Sequence, residues 1–229
     1  MDLAFSLPTS PVVPIAGEQV HYPVRRIFCV GRNYEAHARE MGAQVDREAP
    51  IWFTKSCWSI CPSGSTIAYP PGTTNCHFEA ELVVAIGKSG FRVDADKAWD
   101  LVFGLACGID LTRRDLQYAA RDKGYPWDVG KDFEQAAVIA EISRGATLVQ
   151  GQRISLQQNG IVRQDASFDD LIWSVPELIA DLSRLYHLEP GDLIYTGTPS
   201  GVGPVAPGDT ITVRSDDLNP LTLTIGPKE

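Results

Sequence analysis

The stretch NCHFEAELVVAIG, Asn75 to Gly87, decides how this chain is read. Extended backbone alternates its side chains, so as a strand it places Glu79, Glu81, Val83 and Ala85 on one face. Two carboxylates at the head of an apolar strand repel each other, and burial pushes one toward protonation unless a cation lies between them. Downstream, the apolar run LVFGLACGID ends in Asp110, where a second buried strand would finish. Three converging carboxylates are a natural ligand set for Mg²⁺ or Mn²⁺, which take oxygen donors and keep positions for water or substrate. The E-x-E pattern alone leaves the alternative open: a solvated strand end with an unrelated aspartate.

The rest of the chain narrows the choice. Its 229 residues suit one large domain or two small ones, and a hydrophobic content of 44% is enough for a sizeable core. A net charge of −9 makes nucleic acid an unsuitable partner. It would also repel an anionic substrate unless the site supplies positive charge of its own. No apolar run reaches the ~20 residues of a membrane span, and the N-terminal MDLAFSLPTS lacks a basic segment followed by an apolar core. The expectation is a cytoplasmic protein without membrane contact. Five scattered cysteines, Cys29, Cys57, Cys61, Cys76 and Cys107, argue for a reducing compartment and against a disulfide framework. Cys29 and Cys107 read as small core residues, and the loose spacing of Cys57, Cys61, Cys76 and His77 makes a weak case for zinc.

Residues 1–24 are Pro-rich and read as a lead-in with an edge strand, before a single domain over residues 25–229. The strand RRIFCVG precedes RNYEAHAREMG, a helix with Asn33 as candidate N-cap and Gly42 as candidate stop. On it His37 and Glu40 are three apart and share a face. A carboxylate that fixes the tautomer of a histidine makes it a general base for water, although an ordinary surface pair has the same spacing. The acidic segment AQVDREAP after it suggests a mobile connection, which would make this helix a lid.

Lys55 ends the apolar strand PIWFTKS. Beyond Asp110, LTRRDLQYAARDKG predicts a helix with Arg114 and Gln117 one turn apart, and YPWDVGKDF sets Lys131 on a loop. Asn159-Gly160 predicts a β-hairpin, and Leu178, Ile179, Leu182 and Leu185 mark an amphipathic helix. The Gly-rich TGTPSGVGPVAPGD has neither the lysine nor the following helix of a phosphate loop. It suits close backbone approach to a small ligand, with Thr196 or Thr198 offering a hydroxyl. The fold class expected is mixed α+β, predominantly β, with a few helices.

Five separated segments, in order, resemble the fumarylacetoacetate hydrolase family. They are CVGRNYEAHAREMG, the H-x-E-x-E strand, GIDLTRRDLQ, the Lys131 segment and TGTPSGVG. The resemblance is greatest to its single-domain acylpyruvate and fumarylpyruvate hydrolases, and runs from about Arg25 to the C-terminus. It implies a β-roll with a helical lid, a homodimer, and Mg²⁺ or Mn²⁺ held by Glu79, Glu81 and Asp110. It places the water-activating dyad on His37 and Glu40. The family's substrate-facing Arg, Gln and Lys fall on Arg114, Gln117 and Lys131, and of these Lys131 and Gln117 are the candidates to stabilise an oxyanion at the 4-carbonyl. A threonine of the TGTP loop (Thr196 or Thr198) falls on a substrate-facing position too. Arg32 and Tyr34, beside the lid helix, are further substrate-binding candidates, with Arg32 and Arg114 available for the two carboxylates of a diacid. The activity implied is hydrolysis of a 2,4-diketo acid, as in the gentisate branch of aromatic compound catabolism. Two departures bear on pocket shape: His77-Phe78 stands where relatives have His-His, and KSCWSICPSGS differs after the lysine. Oxaloacetate decarboxylation, isomerisation and non-catalytic binding of a small acid are the competing readings. The intact dyad argues against mere binding.

Overall fold

In the computed structural model, residues 3–6, 8–42 and 47–228 are described. The carboxylate strand, Ala80–Ile86, is buried along its whole length and runs antiparallel to Val102–Asp110. Its other neighbour is Asp192–Tyr195, followed by Arg26–Gly31 in parallel and Ile51–Lys55 at one edge. On the far flank Ala137–Ile139 and then Ile60–Pro62 complete the sheet. The two edge strands, Ile51–Lys55 and Ile60–Pro62, are joined only by residues 56–59, a span of at most ~18 Å. The edges must therefore approach each other, and the sheet curls into a half-barrel.

The inner face of the curl is lined by Ile27, Cys29, Val83, Ala85, Ala106, Ala137, Leu193 and Tyr195. Gly108 belongs to it because the Tyr195 ring crosses there: a Cβ would lie 2.9 Å from Tyr195 Cε1 and 2.4 Å from Val83. Strands Val12–Pro14 and His21–Pro23 pair as a hairpin whose Val13, Ile15, Tyr22 and Val24 are buried in this same cluster. Tyr22 donates its hydroxyl to the carbonyls of Ile86 and Asp192. The stretch expected as a lead-in is thus a plug at the Ile86 end of the curl, packed into the same core as the rest.

The outer face, with Leu82, Val84, Leu105, Cys107 and Ile109, packs against a second, five-stranded sheet through Ile154, Leu156, Ile211, Val213, Leu221 and Leu223. Asn159-Gly160 makes the expected turn between Arg153–Gln158 and Ile161–Ser167, both residues at positive φ. Helix Val175–Leu185 begins with a Ser174/Glu177 capping box and buries Leu178, Ile179 and Leu182. Leu185, expected on that stripe, is 62% exposed because it falls in the last turn, past the apolar face. Among the described residues no helix is long and apolar enough to cross a membrane.

Candidate active site

The alternation read from Asn75–Gly87 holds in three dimensions. Val83 and Ala85 point into the curl, so Glu79 and Glu81 stand at its open mouth, opposite the Tyr22 plug. Asp110 reaches the same mouth from the neighbouring strand, two positions beyond Gly108 and four beyond Ala106 on the inner face. Ligand oxygens of the three carboxylates lie within 4.8 Å of one another, and all three side chains are buried.

Three buried cations answer them. Arg114 Nη2 pairs with Glu79 Oε1, and Lys131 Nζ lies 2.6 Å from Glu79 Oε2 and 2.5 Å from Asp110 Oδ2. Lys55 Nζ is 2.8 Å from Asp110 Oδ1, but its N–H groups are directed to the carbonyls of Leu111 and Lys131. Asp110 Oδ1 faces the Lys55 ammonium as an ion pair but accepts no well-aligned hydrogen bond, which leaves it a lone pair. Burial alone would raise the pKa of Glu79, but Lys131 and Arg114 hold it well below the usual range. Glu81 has only the Gly197 N–H, at 2.8 Å, and among the described residues no cation pairs with it. Burial, Asp110 and Glu79 together push its carboxyl well above the usual range. An all-oxygen donor set, a carboxylate with no counter-charge and a buried oxygen with a spare lone pair fit Mg²⁺ or Mn²⁺. The suspected zinc cluster does not form: the described cysteines are unpaired, and Cys61 and Cys76 are core residues.

Helix Glu35–Glu40 stands beside this mouth. His37 is buried, with Nδ1 3.2 Å from Glu40 Oε2, which leaves Nε2 for the cavity. Glu40 also accepts the Gly201 N–H at 3.1 Å. Desolvation acts to raise the Glu40 pKa, and the bonds from His37 and Gly201 lower it further than that. The N-cap is Tyr34 rather than Asn33. The Asn33 side chain instead bridges the carbonyls of Thr196 and Trp173 and accepts the Trp173 N–H, tying the helix start to the TGTP loop. Gly42 ends the helix at positive φ as expected. Of AQVDREAP, residues 43–46 lie outside the described residues.

Arg114 and Gln117 lie on helix Arg114–Asp122, both buried, with Arg114 Nη1 donating to Gln117 Oε1 at 2.5 Å. Arginine has no acceptor, so the Gln117 amide is oriented and its NH₂ group is left for other partners. Lys131 ends a short helix, Asp128–Lys131, and is buried rather than carried on a loop. Its ammonium is fully engaged by Glu79, Asp110 and Thr112. Arg32 sits at positive φ with its guanidinium over the Trp127 ring, and no carboxylate among the described residues pairs with it. The Thr196 hydroxyl donates to the Leu82 carbonyl, and Tyr34 is buried; neither is on the cavity wall, whereas Thr198 is. His37, Arg32, Glu79, Glu81, Arg114, Gln117, Lys131 and Thr198 line one cavity at the mouth of the curl.

Sequence reasoning noted Lys55 but assigned it nothing, and passed over Gln164 and Gly201. A lysine closing an apolar strand was the available signal for the first. For Gly201 and Gln164, whose partners are distant in the chain, nothing local gave one.

A buried carboxylate centre facing an oriented histidine defines a metal-dependent acid–base enzyme on a curled β-sheet. The model described as fumarylacetoacetate (FAA) hydrolase C-terminal matches residues 26–226, and the chain belongs to that family. It is 54% identical over 193 residues to a fumarylpyruvate hydrolase of Ralstonia sp, covering 82% of this chain and 100% of that one. The crystal structure of fumarylpyruvate hydrolase from Pseudomonas aeruginosa in complex with Mn²⁺ and pyruvate matches with a TM-score of 0.94 and 43% identity, over 99% of this chain and 100% of that one. An oxaloacetate tautomerase of Escherichia coli (strain K12) is 34% identical over 203 residues, 87% of this chain and 92% of that one.

Proposed function

We propose that the protein is a divalent-metal-dependent hydrolase that cleaves the C3–C4 bond of a 2,4-diketo acid, fumarylpyruvate foremost, to pyruvate and fumarate. The observation that carries this is the meeting of the His37–Glu40 pair and the three carboxylates in one cavity. The name of the Ralstonia relative and the Mn²⁺ and pyruvate of the Pseudomonas structure support it.

Glu79, Glu81 and Asp110 would hold Mg²⁺ or Mn²⁺, whose bound charge supplies stabilisation for the 2-oxo acid end and the departing enolate. His37 Nε2 takes a proton from water while Glu40 holds Nδ1–H and stabilises the imidazolium. The water oxygen adds to the 4-carbonyl carbon. The oriented Gln117 NH₂ group donates to the oxyanion that forms. Lys131 contributes its charge from behind Glu79 and Asp110, since its three donors are engaged. Collapse breaks C3–C4, and the imidazolium returns its proton to C3 of the pyruvyl fragment. Arg114, fixed beside Glu79, serves the pyruvyl end, and the unpaired Arg32 serves the far carboxylate.

The test is loss of the diketo acid chromophore with stoichiometric pyruvate release, in protein stripped by EDTA and then given Mg²⁺ or Mn²⁺. Activity should vanish and return, and Glu81→Ala should not recover. Full turnover by stripped protein would overturn the reading. Oxaloacetate belongs in the same assay, because of the tautomerase relative. A cytoplasmic homodimer acting in gentisate degradation is the setting we propose, on the family resemblance.

A further inference from the structure

We infer that Gln164 is a positioning residue that makes Thr198 a hydrogen-bond donor to the 2-oxo acid end of the substrate. The inference rests on the hydrolase reading above. Gln164 lies on hairpin strand Ile161–Ser167, remote from the site in sequence, and is 1% exposed. Its Oε1 accepts the Ala80 N–H at 2.9 Å, between the two glutamates of the carboxylate strand. Its Nε2 donates to Thr198 Oγ1 and to the Pro199 carbonyl, each at 2.8 Å.

The backbone decides which end of this amide is which. Ala80 N–H can only donate and the Pro199 carbonyl can only accept, so the reverse orientation would break both bonds. Nε2 therefore faces Thr198, and the Thr198 oxygen is already an acceptor. Its own proton must go to another partner, and no acceptor for it is recorded among the described residues. Thr198 lines the cavity beside Glu79, Glu81 and His37. A carboxylate or 2-oxo oxygen held next to the three carboxylates is the acceptor that fits. The loop cannot easily turn away, because Gly201 packs against the Arg163 carbonyl and Gly197 N–H holds Glu81.

The test is pyruvate affinity in the presence of Mn²⁺, with Mn²⁺ affinity, KM, kcat and Tm measured on the same samples. Thr198→Val should raise the pyruvate Kd and the KM about ten- to hundredfold, as for loss of one bond to a charged group. Mn²⁺ affinity should stay unchanged, and Thr198→Ser should restore binding to within a few-fold. Gln164→Met should weaken pyruvate in the same direction, and the double variant should be no worse than Thr198→Val alone. If Gln164→Met does not fold, Gln164→Glu keeps the size and the Ala80 bond while replacing the donor with an acceptor. It should weaken pyruvate as Thr198→Val does. Additive losses, or a Gln164 variant that lowers Tm but leaves the pyruvate Kd unchanged, would reduce Gln164 to a structural stitch. Unchanged binding in Thr198→Val would refute the donor role. Wild-type protein that neither binds pyruvate nor cleaves a diketo acid would instead refute the underlying hydrolase reading.

Discussion

Replacing Gly201 by alanine should damage catalysis and folding together, although the residue touches no substrate. Gly201 has φ of +95°, and a Cβ built on it would lie 2.0 Å from the Arg163 carbonyl oxygen, which is backbone and cannot rotate away. Alanine at such a φ costs about 1–3 kcal/mol, and relieving the overlap requires the loop to separate from the hairpin by more than ~1 Å. A total of about 2–4 kcal/mol should lower Tm by roughly 5–15 °C for a domain of this size. The separation also draws the Gly201 N–H away from Glu40. Loss of a bond to a charged group is worth about 1.5–3 kcal/mol, so kcat/KM for fumarylpyruvate should fall about ten- to hundredfold. Gly208 supplies the control: it has the same φ of +95° with nothing within 4 Å of its Cβ. Gly208→Ala should carry only the backbone part of the cost and leave kcat/KM within about twofold. Equal Tm shifts in the two variants, or a Gly201→Ala enzyme of normal kcat/KM, would refute the reasoning.

Three further outcomes are expected. His37→Ala should lower diketo acid cleavage by about 10²–10⁴-fold, the usual loss for a general base, with pyruvate affinity little changed. Arg32→Ala should cost about tenfold or more in kcat/KM for fumarylpyruvate and much less for acetylpyruvate, which lacks the far carboxylate. Parity between the substrates in the wild type would reject a role for Arg32 there. Asp115 and Asp209 titrate below their ordinary values: burial opposes this, but bonds from Thr73 and Thr74 to Asp115, and from Asn159 and Ala206 to Asp209, prevail. Each then binds fewer protons folded than unfolded near pH 3.8, so its stabilisation is present above that pH and lost as pH falls through the native value. Urea midpoints measured downward from pH 5 should decline, and Asp209→Asn should flatten the slope.

The readable parts of this fold were those with a local period. Two-residue alternation placed Glu79 and Glu81 on the face of Val83 and Ala85, and helical spacing brought His37 to Glu40 and Arg114 to Gln117. Asn159-Gly160 announced its own turn. Periodicity gives the face a residue occupies but not its partner across the molecule. Asn33 has the chemistry of an N-cap, and its neighbours gave no sign that Trp173 and Thr196 would claim its side chain. Lys131 looked available because it follows a turn-rich segment, yet Glu79, Asp110 and Thr112 all engage it. The closure of the sheet was equally hidden, since it depends on Asp192–Tyr195 pairing with Arg26–Gly31, far away in the chain.

The match of Lys55, Arg114 and Lys131 to Glu79, Glu81 and Asp110 has a thermodynamic meaning. Empty, the mouth sets three cations against Glu79 and Asp110, while burial, Asp110 and Glu79 hold Glu81 toward its neutral form. A divalent ion that displaced the Glu81 proton would leave two positive charges in excess, which a dicarboxylate would offset. Metal and doubly charged acid should therefore each bind more tightly in the presence of the other, and by linkage the two factors are equal.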